Sequence, residues 1–163
     1  MKTKLTLFVT VLAVALFGMG CASTPKSPPV EGAVKWNGHW YALYSFEGGK
    51  TWPQPKKHCE DLGGHLVCIE SKGEEDFLFT TYINYIPTAV PVMLGATDEV
   101  KEGDWRWVNG KSLGETYQNW RKGQPDNHHT GQHVLRIDFG SEGRKWDDDY
   151  SHTLNKHFIC EWE

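Results

Sequence analysis

Between Asp126 and Asp149 the chain gathers side chains that bind metal ions. His128, His129 and His133 stand near Asp126 and Asp147 in the sequence, and His129 and His133 have i,i+4 spacing. On a helix that spacing places two imidazoles on one face, as a zinc enzyme needs. The neighbours argue against a helix: Pro125, Thr130 and Gly131 are loop formers, and no His-Glu-x-x-His occurs. Exposed polar histidines on a loop are the simpler reading. The run Asp147-Asp148-Asp149 lacks the alternation and the following Gly of an EF-hand. No Gly-rich phosphate loop or nucleophile elbow is present. None of these patterns supports an enzyme.

The elements that must position these residues emerge from local pattern. The chain has 163 residues, enough for a short export segment and one compact domain. Its net charge is -4, with no basic run, which excludes nucleic acid as a partner. With 8 Trp and 17 Gly it fits a loop-rich fold better than a helix bundle. Residues 39–45 alternate and are rich in aromatics, which predicts a strand. Thr51 reads as an N-cap, Pro53 as first-turn residue, and Gly63-Gly64 as the stop of a first helix. Residues 65–69 form a short apolar strand. Ser71, with Glu74 three residues on, caps a second helix whose apolar face carries Phe77, Leu78, Tyr82 and Ile83. Pro87 and Pro91 end it, and 92–96 is a buried strand. The stretch 97–131 is polar and Gly-rich, broken by Trp105-Arg106-Trp107-Val108 before Asn109-Gly110, a hairpin signal. A long irregular stretch of that kind is usually functional. Two further strands come at 134–139 and 157–162, with Lys145-Trp146 between them.

The N-terminus reads as an address. Lys2 and Lys4 precede an apolar run at 5–17, too short to span a bilayer as a mature helix. Gly18-Met19-Gly20-Cys21 resembles the lipobox of bacterial lipoproteins, although Gly18 stands where Leu is usual. That resemblance implies a lipoprotein signal peptide at 1–20, a lipidated Cys21 with a flexible tether over 21–34, and a domain at 35–163. The protein is then exported and membrane-anchored in the cell envelope. An ordinary secretory signal cut near Gly20 or Ala22 is the alternative. Cys59, Cys68 and Cys160 remain, an odd number, so one is unpaired. A Cys59–Cys160 bond would tie the ends of the domain together, and Cys68 reads as a small buried strand side chain.

Five motifs in register carry a family resemblance. They are the segment from Cys59 through Glu60-Asp61-Leu62-Gly63-Gly64-His65 to Val67, then Met93-Leu94-Gly95-Ala96, then Asn119-Trp120 with Gly123-Gln124-Pro125-Asp126-Asn127, then Trp146-Asp147-Asp148, and last Phe158-Ile159-Cys160-Glu161. Together they resemble the C-type lectin-like domain over about residues 35 to 163. The resemblance implies an α+β fold: two helices flank small antiparallel sheets, and a long loop carries the ligand site. Cys59 and Cys160 match the family's first cysteine pair. The second pair is absent, with Val134 and Ser151 in its places.

By this resemblance one principal Ca²⁺ would be held by Gln124, Asp126, Gln132, Asp147 and Asp148, all oxygen donors of the kind calcium takes. Gln124, Asp126, Gln132, Asp147 and His128 would face a carbohydrate. The family has Glu at the place of Gln132 and Asn at that of Asp147. One carboxylate is lost and one gained, so Asp126, Asp147 and Asp148 keep three. Gln124-Pro125-Asp126 is the family's galactose-type signature. The second pair, Gln132 and Asp147, is also reversed, which could admit an equatorial diol. The usual stacking Trp is missing, with His128 and His129 in that loop. Asp98 and Glu102 match two ligands of the family's accessory calcium site. Asn127 and His133 replace its other carboxylates, so no tight second ion is expected there. The alternative function is a calcium-independent protein-binding or structural surface domain of the same fold.

Overall fold

The computed structural model describes residues 27–163, apart from 88, 89 and 141. The expected signal peptide at 1–20 and the expected lipidation site Cys21 lie outside the described residues. Ten elements run in chain order: β1 (Val34–Trp36), β2 (His39–Lys50), α1 (Pro53–Asp61), β3 (His65–Leu66), α2 (Lys72–Thr81), β4 (Val92–Thr97), β5 (Arg106–Trp107), β6 (Gln132–Gly140), β7 (Gly143–Tyr150) and β8 (Asn155–Trp162). The fold is α+β, as expected. The strands join into one mixed sheet, ordered β1-β2-β8-β4-β6-β7, with β3 on β8 and β5 on β4. Its one parallel pairing among the named strands, β4 on β8, brings the middle of the chain beside its end. Folding starts slightly before residue 35: Val34 already pairs with Tyr41, and Val30 and Ala33 pack on the core.

Two apolar clusters fill the interior. Tyr41, Ile69, Leu78, Leu94, Trp107, Leu135, Trp146 and Ile159 are buried in one. Trp40, Trp52, Leu66, Met93, Phe158 and Trp162 surround the disulfide in the other. Cys59 and Cys160 are bonded, joining α1 to β8 across a separation of 101 residues. In the chain-entropy account, closing a loop of that length stabilises by up to about 4.7 kcal/mol. Cys68 is free and buried, as expected.

The helix starts differ instructively. Ser71 Oγ accepts from Glu74 N at 3.1 Å, so the cap of α2 forms as its sequence predicts. The Glu74 carboxylate turns elsewhere, accepting from Tyr41 OH at 2.8 Å and Glu70 N at 2.9 Å. Burial, with the Glu161 charge beside it, pushes this carboxyl up to about 7. At α1 the expected Thr51 cap is not made. Trp52 takes the N-cap position, buried, with its indole donating to Leu94 O at 2.9 Å. The need to bury that large ring sets where the helix begins.

Gly95 lets segment 65–69 cross β4. A Cβ there would lie 2.5 Å from Leu66 O, so no side chain fits. Gly95 N instead donates to Val67 O at 2.9 Å.

Candidate functional site

The long loop is tied to the scaffold by one buried carboxylate. Glu75, 3 % exposed, projects from α2 and accepts from Tyr117 OH, Asn119 Nδ2 and Trp146 Nε1, each at 2.8 Å. Three segments distant in sequence thus share one anchor. The loop backbone then runs beside β7: Trp146 N donates to Asn119 O, and Arg121 N to Trp146 O, both at 2.9 Å. This fixes the approach to Gln124, whose peptide bond to Pro125 is cis.

Asp148 is the centre of the loop's polar groups. It is 1 % exposed. Its carboxylate accepts from Asp126 N at 3.3 Å and Asn127 N at 2.7 Å, while its carbonyl accepts from Gln132 Nε2 at 3.0 Å. Among the described residues it has no ion-pair partner. A buried carboxylate without a counter-charge is costly. Nearby in the loop, Gln124 Oε1 is sealed from solvent with no hydrogen-bond partner. An orphaned buried oxygen is equally rare. The Asp126 side chain is exposed.

Gln132 is engaged at both ends of its amide, since His128 N also donates to its Oε1 at 2.8 Å. His128 itself is exposed, its ring tilted against His129 at 4.0 Å and its carbonyl accepting from Tyr150 OH at 2.9 Å. The backbone here is strained: Asn127, His129 and Thr130 all take positive φ, at 43°, 53° and 56°. Non-glycine residues hold such angles at a cost that clusters at functional sites. Beside Pro125 a cavity of about 240 Å³ is lined in part by Trp105 and Trp120. An aromatic wall is thus present, supplied from outside the histidine loop.

Asp147 stands apart from this group. Strand alternation turns it away from Asp148, onto the face where Arg136 of β6 sits opposite it in register. Arg121 reaches its carboxylate at 2.8 Å and Arg136 at 3.2 Å. Burial holds the Asp147 carboxyl above its ordinary value, the two guanidinium groups opposing that shift in part. The structure therefore joins Gln132 to Asp148 by side chain and Asp126 to Asp148 by its backbone N–H, leaves Gln124 two residues before Asp126 in the same loop, and ties Asp147 to arginines.

The accessory position is closed by the protein's own groups. His133 Nδ1 lies 3.0 Å from Asp98 Oδ1 and 3.6 Å from Glu102 Oε2. Asn127 Nδ2 donates to Glu102 at 2.5 Å, and Gly103 N to Asp98 at 2.8 Å. His133 turns to Asp98, so the rival zinc-like grouping of His128, His129 and His133 does not form among the described residues. Sequence reasoning missed Arg121, Arg136 and Glu75. Only the β6–β7 register could have pointed to Arg136.

Comparison with known proteins agrees with this architecture. Residues 48–162 match the family described as Lectin C-type domain. The chain is 30% identical to a perlucin-like protein of Mytilus galloprovincialis over 161 residues, 96% of this chain and 99% of that one. It is 33% identical to human asialoglycoprotein receptor 2 over 132 residues, 78% of this chain but only 40% of the receptor's length. Among solved structures, the cow CD23 carbohydrate-recognition domain, determined in the presence of a GlcNAc2Man3 oligosaccharide, superposes with a TM-score of 0.69 at 26% identity, covering 81% of this chain and 93% of that one. The family comprises non-enzymatic carbohydrate-binding domains. With Glu75, the Gln124-Pro125-Asp126 loop and Asp148 in one arrangement and this match over most of the domain, the chain belongs to the C-type lectin domain family.

Proposed function

We propose that the chain is an exported, membrane-anchored module that binds carbohydrate through one calcium ion held in the loop around Asp148. The observation that carries this reading is a buried Asp148 carboxylate with no cationic side chain among the described residues, in a loop that also holds the orphaned Gln124 oxygen. These are hard oxygen donors, and a divalent cation would answer both. Gln124, Asp126, Gln132 and Asp148 would hold it, with Gln132 turning its amide oxygen from His128 N toward the ion. Asp147 would join only by leaving Arg121 and Arg136, so its carboxylate serves first to hold those arginines. Calcium would supply a point of attachment for two sugar hydroxyls, and this chain's amide and carboxylate groups would orient them.

The Gln124-Pro125-Asp126 order supports a galactose-type ligand. The Trp105 and Trp120 wall beside Pro125 offers a surface for the sugar's apolar face. Membrane attachment rests on the lipobox-like segment ending at Cys21. No helix among the described residues is long and apolar enough to cross a membrane. Loss of metabolic lipid labelling in Cys21→Ser would support the anchor.

The internal satisfaction of Gln132 and Asp147 favours a second reading, a calcium-independent protein-binding or structural surface domain. Titrating galactose and mannose into the protein in calcium and in chelator separates the two. Calcium-dependent binding with galactose ahead supports the proposal. Equal binding of both sugars would replace the galactose preference with a tolerant diol site. No sugar binding in calcium would favour the second reading.

A further inference from the structure

A separate cluster of metal-binding side chains lies at β3 and the end of β8 and shares no residue with the acidic loop. His65, Cys68 and Glu161 each offer one ligand atom, and these atoms lie within 4.8 Å of one another. Cys68 Sγ is 3.7 Å from His65 Nδ1, and His65 Nδ1 is 3.8 Å from Glu161 Oε2. A tetrahedral zinc ion with its usual bond lengths sets ligand atoms about 3.4–3.6 Å apart, so small side-chain adjustments suffice. Glu161 and Cys68 are 2 % and 1 % exposed, and the His65 side chain is 22 % exposed, which leaves a way in.

The positions are set by rigid backbone. His65 sits opposite Glu161 and Leu66 opposite Cys160 in the β3–β8 register. The neighbouring disulfide fixes β8 to α1. Glu161 is further oriented by His39 Nδ1 at 2.6 Å and Cys68 N at 2.9 Å. His65 now has Nδ1 at 2.9 Å from Leu66 O, which requires the proton on Nδ1 and leaves Nε2 sealed without a hydrogen-bond partner. Metal binding at Nδ1 moves the proton to Nε2 and gives up the bond to Leu66 O through a turn of the ring. Nε2–H then faces Glu163 Oε1, which lies 3.7 Å away before any adjustment. A ligating histidine whose second nitrogen faces a carboxylate is the usual support of a zinc ligand.

We propose that His65, Cys68 and Glu161 form a binding site for a divalent transition metal of the zinc class, with Glu163 orienting His65 and water in the fourth position. Binding replaces the Cys68 S–H bond with a sulfur–metal bond and releases the proton to solvent. The mixed sulfur, nitrogen and carboxylate set selects zinc-class ions over calcium, which takes oxygen alone. The site would clamp the 65–68 segment to β8.

The test uses the full chain in mild detergent, stripped of transition metals and kept in calcium, with cobalt(II) as probe. One equivalent of cobalt should raise a near-ultraviolet thiolate charge-transfer band, and zinc should abolish it. Cys68→Ser should remove the band and weaken zinc at least about a hundredfold, and Glu163→Gln should weaken it about tenfold. Cys21→Ser, Asp148→Asn and the double variant His128→Ala/His129→Ala should keep the band. Thermal melting of metal-free Cys68→Ser close to that of the parent would show that its fold is intact. If Cys68→Ser unfolds, zinc protection of the parent's Cys68 from alkylation in mild denaturant decides the matter. Absence of a band in the parent, or its persistence in folded Cys68→Ser, would overturn the proposal.

Discussion

Two buried aspartates, Asp98 and Asp148, meet their charge in opposite ways. Asp98 has side-chain company of its own: His133 Nδ1 lies 3.0 Å away, and Glu102 and Asn127 complete a closed network. Asp148 has backbone amides and a glutamine, but no cationic side chain among the described residues. Asp147, next to it in the chain, has two arginines. A carboxylate engaged by side chains of the protein has less call for an ion than a buried one held by backbone amides. By that contrast the proposed calcium belongs at Asp148.

The contrast can be challenged at three positions, Asp147, His133 and Gln132. The greatest change is expected at Asp147. Asp147→Ala takes one partner from Arg121 and one from the largely buried Arg136, which keeps Asp138 and Asp149, and should cost about 3 kcal/mol in urea unfolding, equally in calcium and in chelator. A cost seen only in calcium would make Asp147 an ion ligand after all. Next is His133. His133→Ala strips Asp98 of its partner and should destabilise by about 1–3 kcal/mol. His133→Asp goes further, placing three carboxylates together, and should raise calcium stoichiometry from one to two by titration calorimetry. A stoichiometry still at one would show that His133 is not what closes that position. The mildest change is at Gln132. Gln132→Glu adds a hard anionic oxygen beside the Asp148 carbonyl and should tighten calcium about tenfold. Unchanged affinity would place residue 132 outside the shell.

Much of the scaffold was legible because it rests on local rules. The Ser71 cap, the Gly63-Gly64 stop and the aromatic alternation of β2 each act within a few residues, and each appears where expected. The Cys59–Cys160 bond was legible as the tie between the domain's ends. What was hidden depends on pairing at a distance. The run Asp147-Asp148-Asp149 carries no apolar alternation, yet it is a buried strand that sends Asp147 to Arg136 and Asp148 to the loop. Glu75 gave no signal, because its three partners lie more than forty residues away. His133 looked like a poor substitute for a calcium ligand, but it sits where its ring meets the Asp98 carboxylate at 3.0 Å.

The proposed function rests above all on Asp148 taking an external cation. Thermal unfolding of the full chain in mild detergent, in calcium and in chelator, tests this most directly, with Asp148→Ala beside the parent. At a hundredfold excess over its dissociation constant, calcium should stabilise the parent by about 2.7 kcal/mol. For a domain of this size that is a rise of about 5–10 °C in Tm. Asp148→Ala should show no rise. A parent that melts at the same temperature in millimolar calcium and in chelator would contradict the need for an ion, as would a variant that keeps the full shift.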